Sequence, residues 1–356
     1  MQKHTVLITG AAGYVGTMLV RRFAAREDVV HVIGLDKEPI PDLIKDEPKL
    51  VYIETNTSDE GWEEKVRPYA PTIVIHTAWQ IRELYGKRPL TWKWNIDGSE
   101  RVFRFAYETE SVTRLIHFST VASYGAFPTN TIEQRFTEDD PFRKTDYLYA
   151  EEKRVAEERL EACFAEAKRK VPTAIVRPAA ITGPRGRYMR IRFGLQAALA
   201  GQLKESFVYR LVSLMTRFVP VTPAWLRQFI HEDDVTSLVE LLAFAEPKGE
   251  YEVFNICPPG DVVLGKDMAA AVGKRMVRIQ PWMTRLPFAF LWHATRGKVP
   301  TAKGSWKGYS YPIAVDGSKL TRVYGYQYQY PSLDAFRYTD GDYEEFVPEP
   351  LRKPKP

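Results

Sequence analysis

Tyr149 and Lys153 lie four residues apart, so a helix carrying them projects an ionisable phenol and an ammonium from one face. Lys153 continues along the line of Ala156 and Leu160, an apolar stripe. A lysine on an inward stripe needs a partner or a task to offset its desolvation. The spacing alone carries little weight: 19 Tyr and 50 Lys plus Arg in 356 residues give about 2.7 such pairs by chance. A second constellation carries more. In Thr9-Gly10-Ala11-Ala12-Gly13-Tyr14-Val15-Gly16 three glycines join a β-rich run to a helical one. There, backbone amides and the helix dipole can hold a pyrophosphate, and side chains at the glycines would block its approach. With 22 glycines in the chain, that spacing arises by chance about 0.08 times.

Asp36 closes the second β-rich run about 20 residues beyond the loop, where a carboxylate can accept hydrogen bonds from ribose hydroxyls and repels a 2′-phosphate. NAD is therefore expected over NADP, with Lys37 next door softening the preference. Asn56 follows the third run; it can reach an adenine or cap the next helix.

These side chains need a scaffold. Thr5 to Thr9, Val29 to Leu35, Leu50 to Glu54, Thr72 to His76, Leu115 to Ser119 and Thr173 to Val176 read as strands. Between them, Val15, Met18, Leu19 and Phe23, and later Ala156, Leu160, Cys163, Phe164 and Ala167, recur at helical spacing. The alternation predicts an α/β fold, a Rossmann-type doubly wound parallel sheet. After Arg177-Pro178 the rhythm changes, but His231 to Phe244 reads as a helix and Tyr251 to Ile256 as a strand. The expected division is a dinucleotide-binding domain over 1–180 with 229–257 returning to it, a smaller mixed substrate lobe over 181–228 and 258–350, and a frayed tail at 351–356. Tyr324, Tyr326, Tyr328 and Tyr330 alternate with other residues, which predicts four rings on one strand face.

Composition narrows the classes further. The chain is 44% hydrophobic and 27% charged, with a net charge of +5, an ordinary globular balance. Basic and acidic residues interleave along most of the chain, so nucleic acid is not an expected partner. Leu286 to Trp292, the most apolar stretch, contains Pro287 and is too short to cross a bilayer; it reads as buried helix or pocket wall. The first residues lack the features of a secretory leader, and a cytoplasmic location is expected. Cys163 and Cys257 lack metal-ligand spacing and read as reduced core residues. His231-Glu232-Asp233-Asp234 cannot all face one ion from a helix, so capping is expected and no metal.

Further landmarks occur in a fixed order: His76-Thr77-Ala78 after a strand, Asn95-Ile96-Asp97-Gly98, Thr120 four before Tyr124-Gly125, Tyr149 with Lys153, Arg177-Pro178, Arg227 to Asp234, and Asp316 to Lys319. With the glycine loop, this set resembles the extended short-chain dehydrogenase/reductase family, the NAD-dependent epimerases and dehydratases, over nearly the whole chain. The resemblance implies that Tyr149 is the acid/base, that Lys153 lowers its pKa and holds the ribose, and that Thr120 hydrogen-bonds the reacting oxygen. It implies cofactor contacts from Gly10, Ala12, Gly13, Tyr14, Val15, Gly16, Asp36, Asn56, Thr77, Ala78, Asn95, Arg177 and Pro178, and a homodimer. A phenol near pKa 10 must drop about 3 units to be half ionised at pH 7, about 4 kcal/mol. One cation at about 4 Å through a dielectric near 20 offers up to about 4 kcal/mol before desolvation; the nicotinamide's positive charge makes up the shortfall.

Within the family, dehydratases and related decarboxylases carry a carboxylate two residues before the Tyr-Gly pair, where this chain has Ala122. GDP-fucose synthase-like enzymes place a cysteine in this loop, here Val121-Ala122-Ser123. Epimerisation or one-way oxidation and reduction of an alcohol remains. Arg227 resembles the arginine that contacts the diphosphate of a nucleotide-sugar, which favours an epimerase with Thr120, Tyr149 and Arg227 on the substrate; Arg185, Arg187 and Arg190 could add charge or form a solvated face. Pro223-Ala224-Trp225-Leu226, Ala180 in place of the usual asparagine, and Trp282, Trp292 and Trp306 keep open a 3β-hydroxysteroid-dehydrogenase-like enzyme on an apolar alcohol. A non-catalytic dinucleotide-binding protein is the third reading, against which the complete Thr120, Tyr149 and Lys153 set argues.

Overall fold

A computed structural model describes residues 3–185, 218–271, 275–337 and 341–346. Seven strands form one sheet: β1 (His4–Thr9), β2 (Val29–Asp36), β3 (Leu50–Glu54), β4 (Ile73–His76), β5 (Arg114–Phe118), β6 (Thr173–Pro178) and β7 (Tyr251–Ile256). Their order is β7-β6-β5-β4-β1-β2-β3, every pairing parallel. The chain runs outward from β1 in one direction and restarts at β4 in the other. A crevice therefore opens beyond the carboxyl ends of β1 and β4, where the connections diverge.

Alternation along β1 explains both faces. Val6 and Ile8 point into one layer, with Leu19, Val20 and Phe23 of α1 (Tyr14–Ala24) and Val235, Leu238 and Leu242 of a later helix. Leu7 points into the other, with Val102, Phe103 and Ala106 of α2 (Gly98–Glu108) and Leu160 and Cys163 of α3 (Leu148–Glu166). All but Cys163 are fully buried, and each large side chain contributes about 1.5–3 kcal/mol. Cys163 and Cys257 are buried free thiols.

The later helix, α4 (Glu232–Phe244), is capped by His231, whose Nδ1 accepts from the Asp233 amide at 3.3 Å. Two expectations fail beyond it. The tyrosine run is not a strand: Tyr324 ends the helix Ser318–Tyr324, and Gly325 at φ 69° closes it in the left-handed region. Tyr326 and Tyr328 then pack edge to face with centroids 5.1 Å apart, while Tyr330 lies on His231. Leu286 to Trp292 is not buried either. It belongs to α5 (Trp282–Ala294), in which Leu286 is 74% and Phe290 71% exposed. Apolar content alone cannot tell a helix that faces the core from one that faces outward. No described helix is long and apolar enough to cross a membrane. Arg187, Arg190 and the 351–356 tail lie outside the described residues.

Candidate functional site

The crevice is a cavity of about 370 Å³ whose floor is the β1–α1 loop. Gly10 sits at φ 76°, and a Cβ there would meet the Ala78 amide at 2.6 Å; a Cβ on Gly16 would meet the Gly10 carbonyl at 1.9 Å. Only glycine lets the turn close this tightly against β4. No side chain caps α1 and no acidic residue occupies its first turn, so its orphan amides and positive dipole end face the cavity. A histidine links the loop to its neighbours: His76 Nδ1 is 2.6 Å from the Thr9 hydroxyl and Nε2 is 2.8 Å from that of Ser99. Burial drives the His76 pKa down to about 3, so it stays neutral.

At the far rim Asp36 accepts from the Ala12 amide through Oδ2 and from the Glu38 amide through Oδ1, both at 3.0 Å. Burial raises its pKa, and those amides oppose the shift. Lys37 pairs with Glu38 and lies 5.1 Å from the Trp94 ring, which leaves Asp36 to set the charge of that rim. Asn56 turns its Oδ1 onto the Ser58 amide at 3.0 Å and also lines the cavity.

At the opposite end α3 presents Tyr149 and Lys153 to the same cavity. Tyr149 hydrogen-bonds Thr120; burial raises its pKa and that bond works against the rise. Thr120 itself accepts from the Ala122 amide at 3.2 Å, which fixes it at the head of a 3-10 turn, Val121–Tyr124. Lys153 donates to the Phe118 carbonyl and rests 3.6 Å above the Trp79 ring, and burial brings its pKa down to about 7. Lys153 and Tyr149 thus share one wall of the cavity. Gly10, Ala12, Gly13, Tyr14, Val15, Gly16, Thr77, Ala78, Asn95 and Pro178 all line the cavity. Arg177 does not. Its guanidinium is held by Glu157 at 2.6 Å and by the Tyr124 hydroxyl at 2.8 Å.

Several lining residues carried no sequence signal. Trp79, Gln80 and Trp94 complete the wall; Trp79 adjoins the His76-Thr77-Ala78 landmark, the one hint available. Asn95 sits in a π-helical turn, Lys93–Asp97, a distortion frequent at functional sites. It bonds Gln80 through both ends and donates to Glu152 at 2.6 Å. Burial lifts Glu152 to a pKa of about 7.

A second cavity of about 350 Å³ adjoins the first at the start of α3, where Tyr147 and Ala150 line one and Tyr149 the other. The Tyr147 and Tyr149 rings are 5.9 Å apart. Arg227 lines this second cavity, with its guanidinium on the Gly308 carbonyl at 2.6 Å and 5.0 Å from the Trp225 ring. Among the described residues no carboxylate pairs with it, and burial lowers its pKa to about 10. Ala122 and Ala180 form part of the same wall. Trp282, Trp292 and Trp306 do not line it, so they say nothing about an apolar substrate. Arg185 turns away to the Tyr14 carbonyl, 2.9 Å.

The first cavity fits a dinucleotide on its own chemistry: an uncapped helix end, glycines in close approach, and two buried polar atoms on its wall, Ser119 Oγ and Trp79 Nε1, without a partner among the described residues. Among solved structures the chain is similar to WbmG of Bordetella bronchiseptica in complex with NAD and UDP, at 20% identity and TM-score 0.67 over 94% of this chain and 93% of that one. It is also similar to UDP-glucose 4-epimerase of Thermotoga maritima with UDP-glucose, at 20% identity and TM-score 0.66 over 94% and 97%. A third is dTDP-glucose 4,6-dehydratase of Bacillus anthracis with NAD, at 15% identity and TM-score 0.66 over 98% and 100%. At these identities the likeness shows a shared fold. Comparison with curated protein sequences gives no match. The model of the NAD-dependent epimerase/dehydratase family matches residues 6–257, and the chain belongs to that family of NAD-dependent enzymes.

Proposed function

We propose that the chain is an epimerase that acts on a nucleotide-sugar, with the dinucleotide in the first cavity and the sugar-diphosphate in the second. Arg227 carries this reading: an arginine at a cavity wall with no carboxylate beside it is a half-made ion pair that a diphosphate completes. Gly10, Gly13 and Gly16 with the α1 amides hold the pyrophosphate of NAD, and Asp36 takes the ribose hydroxyls. Bound there, NAD supplies a hydride acceptor and a positive ring charge that favours the Tyr149 phenolate. Tyr149 takes the proton from the reacting hydroxyl and returns it, while Thr120 hydrogen-bonds that oxygen. Lys153 adds an ammonium to the same wall. Ala122 leaves no carboxylate in the loop to expel water, which sets dehydration aside.

Ala122, Ala180, Phe288 and Ile313 in the second cavity support a second reading, net oxidation of an apolar alcohol. Incubation with UDP-glucose or UDP-galactose without added reductant distinguishes them. The epimerase reading predicts interconversion with no accumulation of NADH; net NADH without interconversion overturns it.

A further inference from the structure

We propose that α5 is an interfacial helix that docks the protein on an anionic lipid surface. Trp282, Met283, Leu286 and Phe290 fall within roughly 100° of the helix circumference at 3.6 residues per turn, and they are 68%, 44%, 74% and 71% exposed. The opposite face holds the helix down: Thr284 is 3.1 Å from the Ser310 hydroxyl, Trp292 packs against Tyr85, and Phe288 against Tyr309. A 13-residue helix is about 20 Å long, suited to lying in the plane of a headgroup layer with its apolar stripe inserted and not to crossing it. Trp282 at its first turn is the residue type favoured at that depth.

Charge identifies the occupant. Between Asp267 and Asp316 there is no acidic residue, while eight are Lys or Arg. The chain totals +5, so 5 − 8 leaves −3 on everything else; of the eight, Lys307 pairs with Asp146, and the stretch that carries the helix is basic. Arg278, Arg285, Arg296 and Lys298 are exposed before, within and after it. Headgroups of negative lipids complement such a rim. A second copy of the chain docking by the same face would set these cations against each other. Phe288, on the inward face, also lines the second cavity, so docking there brings that cavity beside the lipid. The proposal rests on the helix and its charge, independently of which reaction the enzyme performs.

The test is flotation of the full chain with phosphatidylcholine vesicles, with and without phosphatidylglycerol, alongside a Leu286→Glu/Phe290→Glu double variant. Both sites are exposed, so thermal unfolding and NAD affinity of the variant should match the parent. The expected result is partition onto the phosphatidylglycerol vesicles, weaker on phosphatidylcholine alone or in high salt, and about tenfold or more lower in the variant. No partition, or equal partition by the variant, overturns the proposal. So does a concentration-dependent dimer in light scattering that the variant abolishes, which would assign the face to a second copy.

Discussion

The two cavities meet at Tyr147 and Tyr149 yet are built in different ways. Six residues of the dinucleotide cleft, Gly10 through Gly16 without Ala11, come from the β1–α1 loop and the first turn of α1, and what they offer is backbone amides and the absence of side chains at the glycines. The second cavity gathers Val121 and Ala122, Tyr147, Ala180, Arg227, Phe288 and Tyr309 from segments that are far apart in sequence. Its chemistry lies in side chains whose directions depend on tertiary packing. A site made of backbone is fixed by local sequence and serves many substrates; a site made of distant side chains is where members of one fold diverge.

That contrast can be broken by substitution. In the cleft, Gly16→Ala forces a Cβ to 1.9 Å from the Gly10 carbonyl; we expect at least a 100-fold loss of NAD affinity and about 1–3 kcal/mol of stability, read by calorimetry and thermal unfolding. Retained affinity would show that the loop does not need its tight closure. In the second cavity, Arg227→Gln should raise KM for a nucleotide-sugar about 30-fold or more, about 2 kcal/mol for a lost charged hydrogen bond, with NAD affinity unchanged. An effect on NAD but not on KM would place Arg227 on the wrong side of the division.

A third effect concerns Glu152, which bonds Asn95 of the cleft wall. Glu152 titrates at about 7 in the fold against 4.5 ordinarily, chiefly through burial. A carboxyl raised in this way binds its proton more tightly when folded, so its penalty is absent below about pH 4.5 and fully present above about pH 7. Glu152→Gln, which keeps a partner for Asn95, should therefore stabilise the protein at pH 8 by up to about 3 kcal/mol. The gain should fade as pH falls towards 5. Thermal unfolding across that range checks it, and a gain independent of pH would contradict the assigned burial cost.

The same division explains what the sequence revealed. All seven sheet strands were legible because short β-rich runs alternate with helical stripes, and no end differs from expectation by more than two residues. The cleft's lining was legible because its three glycines fall within seven residues, and Asp36 because it ends the second strand. A motif names a residue without its direction: β6 turns the Arg177 guanidinium towards Glu157, away from the cavity lining. The tyrosine run misled because alternation says nothing about whether a neighbouring strand exists to pair with it. Glu152 had no signal and Trp79 only its place beside the His76-Thr77-Ala78 landmark; each matters through contact with a residue distant in the chain, Glu152 with Asn95 and Trp79 with Lys153.

The central claim is that Tyr149, at the junction of the two cavities, moves the proton while the cleft holds the cofactor. Turnover and NAD affinity measured together on Tyr149→Phe test it most directly. The account predicts NAD affinity within about twofold of the parent and turnover down by about 1,000-fold or more. Turnover equal to the parent's would contradict it.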